Sequence, residues 1–300
     1  MHHTGLGIAA LFVALWSTGF LGAKLGLPYI EAMTFLAVRF GIVAVILWLW
    51  VVVRGTQMLS MQEFRHQAIV GVLVHYVYLG GVFAGIGLGV SAGVAAMIVG
   101  LQPLATAAAA RVMLHERLGY VQMLGMALGV GGVATVLFEK FDTPIGHPVG
   151  LLLCFIALVG IAVGSILQKR WGDATPVAAG NAVQFASATL CCLATAVAFE
   201  TMNVVWSGEL IFALAWLVLV LSIGAVGLLY WLIRRGAAYE VASLFFLVPP
   251  VTAALAWVLF DERMSILAIA GMIITAVGVM LVHRGGTRFV SEPGQALPKE

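Results

Sequence analysis

Charge is the scarcest property of this sequence. Asp, Glu, Lys and Arg make up 9% of its 300 residues, where a soluble domain carries roughly 25%. So few charges cannot clothe a water-soluble globule, which excludes an ordinary soluble enzyme. The net charge of +2 forms no basic footprint, so no nucleic-acid partner is expected. Cysteine is scarce too. Cys154, Cys191 and Cys192 all fall in apolar runs, two of them adjacent, which leaves neither a disulfide framework nor a metal-ligand spacing. They read as packing residues. HExxH, P-loop and paired intramembrane aspartate patterns are missing, so the chain is expected not to be an enzyme and to need no metal or cofactor.

Apolar residues fill the chain instead, at 62%, and the mean hydropathy is +1.09. A helix needs about 20 apolar residues to cross a hydrocarbon core roughly 30 Å thick, so the length allows up to about ten crossings. Charged residues, Pro and Gly divide the chain into ten apolar segments. They run Thr4 to Lys24, Glu31 to Val53, His66 to Leu88, Ser91 to Leu114, Leu118 to Phe138, His147 to Gln168, Thr175 to Phe199, Glu209 to Ile233, Tyr239 to Phe260 and Ser265 to His283. The opening MHHTGLGIAALFVALWSTGF has no Lys or Arg before its apolar run, and that run outlasts the roughly 7–15 residues of a signal peptide, so a retained first helix is expected. The polar stretch 285–300 reads as a disordered cytoplasmic tail.

Cations set the orientation, because Lys and Arg near span ends stay on the cytoplasmic side. With the N-terminus inside, eleven of the fifteen fall on inner loops or the tail, three (Lys24, Lys140, Arg263) fall outside and Arg39 lies within a span. Both termini are therefore expected in the cytoplasm. All thirteen Asp and Glu sit at loops, span ends or the tail. A deep carboxylate is the usual proton carrier of a coupled pump, so a proton-driven exporter of lipophilic cations is disfavoured.

The chain also repeats itself. At an offset of 146, Ala92 to Val136 matches Ala238 to Val282 without a gap, with 16 identities in 45 positions against about 4 or 5 expected by chance. Pro103 pairs with Pro249, Glu116-Arg117 with Glu262-Arg263, Gly125 with Gly271 and Gly132 with Gly278. A weaker match at offset 145 pairs Gly19 to Lys24 with Gly164 to Lys169, and Arg39-Phe40 with Gln184-Phe185. Five spans per half is an odd number, so the second half enters the membrane from the opposite side. The expected fold is all-α, with ten transmembrane helices in two inverted repeats, residues 1–140 and 141–284, and a substrate site near the midplane between them.

These residues resemble the drug/metabolite transporter superfamily, specifically its EamA-type ten-helix members. The resemblance rests on ALWSTGFLGAKLGL in the first span, AVRF in the second, and Pro followed about 13 residues later by Glu-Arg in the fourth and ninth. The stretch HYVYLGGVFAGIGLGVSAGVAAMIVGLQPL looks most like the YddG-type branch that exports aromatic and other neutral amino acids. What the resemblance implies is a central cavity between pseudo-symmetric halves and efflux of small metabolites across a bacterial inner membrane.

Candidate substrate-binding residues follow from depth and chemistry. His75 lies about ten residues into the third span and Tyr78 shares its face; an imidazole beside a phenol can bond an amino-acid zwitterion. Met97, its repeat counterpart Ser243, Phe246 and Trp16 are expected to line a pocket tolerant of apolar side chains. Ser17 and Thr18 are further candidates. Arg39, about nine residues into its span, can snorkel toward a surface or meet a substrate carboxylate; the uncharged Gln184 opposite it in the repeat argues that the shared scaffold does not need this charge. Pro103, Pro249 and Pro250 fall midway along their spans and are expected to kink them as hinges. Glu116, Arg117, Glu262 and Arg263 are expected to cap helical hairpins at the two membrane faces. Gly89 to Gly93 reads formally as a GxSxG nucleophile elbow, but no strand precedes it. The expected function is alternating-access export of amino acids by a monomer in the lipid bilayer, facilitated or coupled through His75. A broad drug or nucleotide-sugar exporter is the second reading, and an intramembrane protease using Ser91 and His75 the third.

Overall fold

A computed structural model of the chain describes residues 3–114, 119–139, 147–171, 175–225, 228, 247–261 and 265–285. Secondary structure among the described residues is helical, apart from one isolated antiparallel bridge between Ile30 and Val204. The helices are α1 (His3–Gly26), α2 (Ala32–Val53), α3 (Met61–Gly71), α4 (Tyr78–Gly87), α5 (Ala92–Gly100), α6 (Gln102–Leu114), α7 (Tyr120–Glu139), α8 (Pro148–Trp171), α9 (Val177–Phe199), α10 (Gly208–Ala215), α11 (Val248–Phe260) and α12 (Ile266–Gly285). A π-helical turn, Val72–Val77, joins α3 to α4, and a π-helical stretch, Trp216–Ala225, continues α10.

Among the described residues, five stretches are long and apolar enough to cross a membrane: Ala32–Val53, Met61–Gly87, Pro148–Gln168, Val177–Phe199 and Gly208–Ala225. Shorter apolar helices cover Ala10–Gly26, Ala92–Thr106, Tyr120–Thr135, Val248–Phe260 and Ile266–Gly278. Large apolar side chains face outward along them, Leu49, Val197, Ile211 and Ile273 among others. A soluble protein does not present such a surface, and lipid is the solvent that suits it.

Helix ends carry local signals that the sequence explains. Ser60 and Glu63 form a reciprocal capping box at the start of α3, which satisfies two free amides. At the end of α4, the amide of Val90 donates to Gly85 O at 3.0 Å and that of Gly89 to Ile86 O at 2.9 Å, with Gly89 at φ +88°. This is a Schellman closure, which needs the left-handed residue that glycine supplies. Ser91 then caps α5 by accepting from the amide of Val94 at 3.3 Å. The GxSxG string is thus a helix stop followed at once by a helix start.

Two expectations about span continuity change. The third span begins at Met61, earlier than His66, and is α-helical only at its ends, because the π turn interrupts it around His75. The fourth is not a single kinked helix. It breaks at Leu101, whose amide bonds Ile98 O at 3.1 Å, and Pro103 sits second in α6. Pro249 and Pro250 likewise stand in the first turn of α11. A first turn has no intrahelical partner for its amides, so proline costs little there.

Helices pair closely across the two halves: α7 lies on α12, α2 on α9, and α4 on α8. Glycines make these approaches possible. A Cβ on Gly132 would stand 2.5 Å from Gly271 O and against Thr275 Oγ1; one on Gly278 would stand 2.5 Å from Gly125 O and against Gly129 N. Gly81 meets Leu153 O and Gly85 meets Cys154 Sγ in the same way across α4 and α8, as small residues permit between membrane helices. Around this frame α1 packs on α10, its π extension, α5 and α11, while α8 packs on α6. A space remains where the two groups meet.

Candidate functional site

That space is a cavity of about 300 Å³. Its wall is largely apolar: Trp16 and Phe20 from α1, Val82 and Phe83 from α4, Val99 and Pro103 around the α5–α6 break, Ile161 from α8, Phe185 from α9, and Val248 and Pro249 at the start of α11. The polar side chains in the lining are Arg39, His75, Tyr78, Gln102, Ser165 and Ser222. Among the described residues neither Asp nor Glu lines it.

His75 is brought here by the π turn. Its ring stacks on Phe185 at 4.1 Å between centroids and 19° between planes, with Phe40 at 5.7 Å on a tilted plane. Its Nδ1 is buried with no hydrogen-bond partner. Tyr78 begins α4 one turn later, buried and on the same cavity. The π turn shifts the register by one residue and re-aims side chains, a distortion frequent at functional sites. Ser222 also enters the cavity from a π segment, and at the 145-residue offset Val72–Val77 falls on Leu217–Ser222, inside the second π stretch.

Arg39 does not snorkel. It is 6% exposed and turned into the cavity, where Nη2 donates to Ser222 Oγ at 3.2 Å and Nε is buried without a partner. An Arg at the centre of a membrane span costs roughly 2.5–3.5 kcal/mol on insertion scales, and such residues face a cavity or pair with an opposite charge. Gln102 donates to Ser165 Oγ at 3.4 Å, and Ser165 donates to Ile161 O at 2.6 Å.

The remaining candidates are placed as follows. Trp16 lines the cavity, as do Pro103 and Pro249. Met97 faces away, onto a crevice of about 10 Å³ shared with Pro249, Pro250 and Met272. The break at Leu101 decides which face of α5 meets the cavity, and that face carries Ala96, Val99 and Gly100. Ser17 and Thr18 are taken by the scaffold: Ser17 Oγ donates to Val13 O at 2.7 Å and reaches Val248 O at 3.4 Å, and Thr18 Oγ1 accepts from Trp216 Nε1 at 2.9 Å. Ser243, Phe246, Glu116, Arg117, Glu262 and Arg263 lie outside the described residues. Ser91 is absent from the cavity lining and serves as a helix cap. Among the described residues no three His, Cys, Asp or Glu side chains are grouped to hold a metal.

The sequence reading passed over Phe185, Ser165, Gln102 and Ser222. Phe185 had a signal, since it follows Gln184 in the repeat and matches Phe40. The two serines had none, because their place depends on helices far apart in sequence.

Comparison with known proteins agrees with this architecture. The uncharacterized inner membrane transporter YedA of Escherichia coli is 24% identical over 284 residues, 95% of this chain and 92% of its own. A probable amino-acid metabolite efflux pump of the same species is 24% identical over 289 residues, 91% of this chain and 93% of its own. A probable terminal-alkyne amino-acid exporter of Streptantibioticus cattleyicolor is 28% identical over 217 residues, 69% and 70% of the two chains. A crystal structure matches at a TM-score of 0.63 and 20% identity, covering 94% of this chain and 98% of the other, which establishes likeness of fold. The model of the EamA-like transporter family matches twice, over residues 3–138 and 148–284, and the chain therefore belongs to that family of multi-pass membrane transporters.

Proposed function

We propose that this chain exports aromatic and other neutral amino acids across a bacterial inner membrane, as a monomer and without enzymatic activity. The observation that carries the reading is the cavity, with an aromatic and aliphatic wall beside a small polar group of Arg39, His75 and Tyr78. A zwitterion with an apolar side chain needs both surfaces. At about 300 Å³ the space lies at the low end of the roughly 300–1,000 Å³ usual for ligand sites, which suits a single small metabolite. A nucleotide sugar would want several cations for its phosphates, and among the described lining residues Arg39 is the one Lys or Arg. The relatives named as amino-acid exporters support the same substrate class.

The proposed architecture is ten spans in two inverted five-helix repeats with both termini cytoplasmic, moving substrate as one helix group rocks against the other. The double family match, the pairing of α7 with α12 and α2 with α9, and π segments at corresponding places in the two halves support it. The test is efflux of labelled phenylalanine from vesicles reconstituted with the protein, competed in turn by each of the twenty amino acids. Saturable flux, inhibited best by aromatic and large aliphatic members, is expected. Flux no greater than from protein-free vesicles would refute amino-acid export.

A further inference from the structure

We infer that Arg39 is the receptor for the substrate's carboxylate, so that a free carboxylate, rather than an amine, is the group required for transport. This rests on the amino-acid reading of the cavity but makes a narrower demand. Arg39 stands about 10 Å along α2 from its first residue, at 1.5 Å per residue, and is 6% exposed. Such a guanidinium normally meets a carboxylate, and among the described residues none lines the cavity. Its one protein hydrogen bond goes to Ser222 Oγ at 3.2 Å. Ser222 in turn donates its own proton to Leu217 O at 3.0 Å, a bond five residues back that the π geometry allows. Ser222 therefore orients the guanidinium without neutralising it.

Nε is buried with no partner, so one donor of the fork that binds carboxylates through two parallel bonds is unused. The repeat provides a control within the molecule. Gln184, at the matching place, donates to Gln67 Oε1 at 2.6 Å and Gln168 Oε1 at 2.8 Å and is bound into the scaffold. The same position has its amide donors bound into the scaffold in one half, while in the other it is charged and keeps one donor unused. With the carboxylate on Arg39, a side chain on the same small molecule meets the aromatic surface formed by Phe185 and His75.

The experiment measures inhibition of labelled phenylalanine flux by four probes: phenylalanine, phenylalaninamide, phenethylamine and hydrocinnamate. In the wild type, phenylalanine and hydrocinnamate are expected to inhibit at least tenfold more tightly than the two compounds without a carboxylate. Arg39→Gln is expected to raise KM for phenylalanine at least tenfold and to bring acid and amide level, with Arg39→Lys intermediate. The wild-type ranking needs no variant, so it tests the inference even if Arg39→Gln fails to fold. Equal inhibition by phenylalanine and its amide overturns the carboxylate receptor while leaving amino-acid export standing. Uptake of labelled hydrocinnamate with no flux of any amino acid does the reverse. An Arg39→Gln carrier that loses flux for acid and amide in equal measure also overturns the inference, because the residue then holds the fold.

Discussion

Glu31 and Glu200 each cap the other's segment of chain. The Glu200 carboxylate accepts from the amides of Met33 at 2.7 Å and Thr34 at 2.8 Å and from the Thr34 hydroxyl at 2.7 Å. Glu31 accepts from the amides of Thr201 at 2.8 Å and Met202 at 3.0 Å and from the Thr201 hydroxyl at 2.8 Å. Between them the amide of Val205 donates to Tyr29 O at 2.9 Å. The α1–α2 and α9–α10 connections are thus clasped at one end of the cavity-forming helices, with a carboxylate at the positive end of α2.

A clasp of this kind sets the energy of opening that face. Hydrogen bonds to charged groups contribute roughly 1.5–3 kcal/mol each, less where water reaches them. Replacing both carboxylates (Glu31→Gln with Glu200→Gln) is expected to lengthen and broaden the distance between spin labels at Pro28 and Asn203. An unchanged distribution would show that the clasp is passive.

The contact of α7 with α12 makes a second prediction. Gly132 and Gly278 meet backbone atoms on the opposite helix, so neither flexible side chains nor solvent can make room. Gly132→Ala or Gly278→Ala is expected to cost about 1–3 kcal/mol, the usual penalty of overpacking, read as a lower Tm in detergent. Gly131 has nothing within 4 Å of its ideal Cβ, and Gly131→Ala should leave Tm unchanged or raise it slightly, because alanine favours helix. A similar fall for all three would show that close packing at Gly132 and Gly278 is not the cause.

The same glycines show which parts of the molecule the sequence made legible. Gly132 and Gly278 stand at one repeat offset, and that spacing marks the repeat but not the α7–α12 contact that each of them makes. Span positions were legible because apolar runs and charged punctuation report burial in lipid directly. The π segments were not, since Val72–Val77 and Trp216–Ala225 contain no residue that demands the wider i→i+5 turn. Met97 was misplaced for a related reason: its distance from Pro103 was readable, but the break at Leu101 that rotates α5 was not. Arg39 was visible as a lone charge, whereas its partner Ser222 lies 183 residues away.

Pro103 carries the third prediction. It is second in α6, directly after the break, and lines the cavity. Proline has no amide to donate and so keeps α5 and α6 from joining. Pro103→Ala restores a donor and a residue that favours helix, so the break is expected to heal in part. Turnover should then fall several-fold with KM little changed and Tm equal or higher. A proportional loss of both turnover and Tm would mean that the proline holds the structure rather than hinging it.

His75 carries the fourth prediction, on coupling to protons. Among the described residues neither Asp nor Glu lines the cavity, and the imidazole is the one described side chain there that titrates in the physiological range when unperturbed. Its ring is held against Phe185 at 4.1 Å, with Phe40 at 5.7 Å, and its Nδ1 has no partner to hand a proton to. With no acidic partner among the described lining residues, His75 is expected to act as an uncharged polar surface for substrate, and efflux to be the same with and without an imposed proton gradient. His75→Phe keeps the stack and removes the nitrogens, so it should raise KM for phenylalanine several-fold while leaving Tm near the wild type. Acceleration of wild-type flux by a proton gradient, abolished in His75→Phe, would instead make His75 the coupling group.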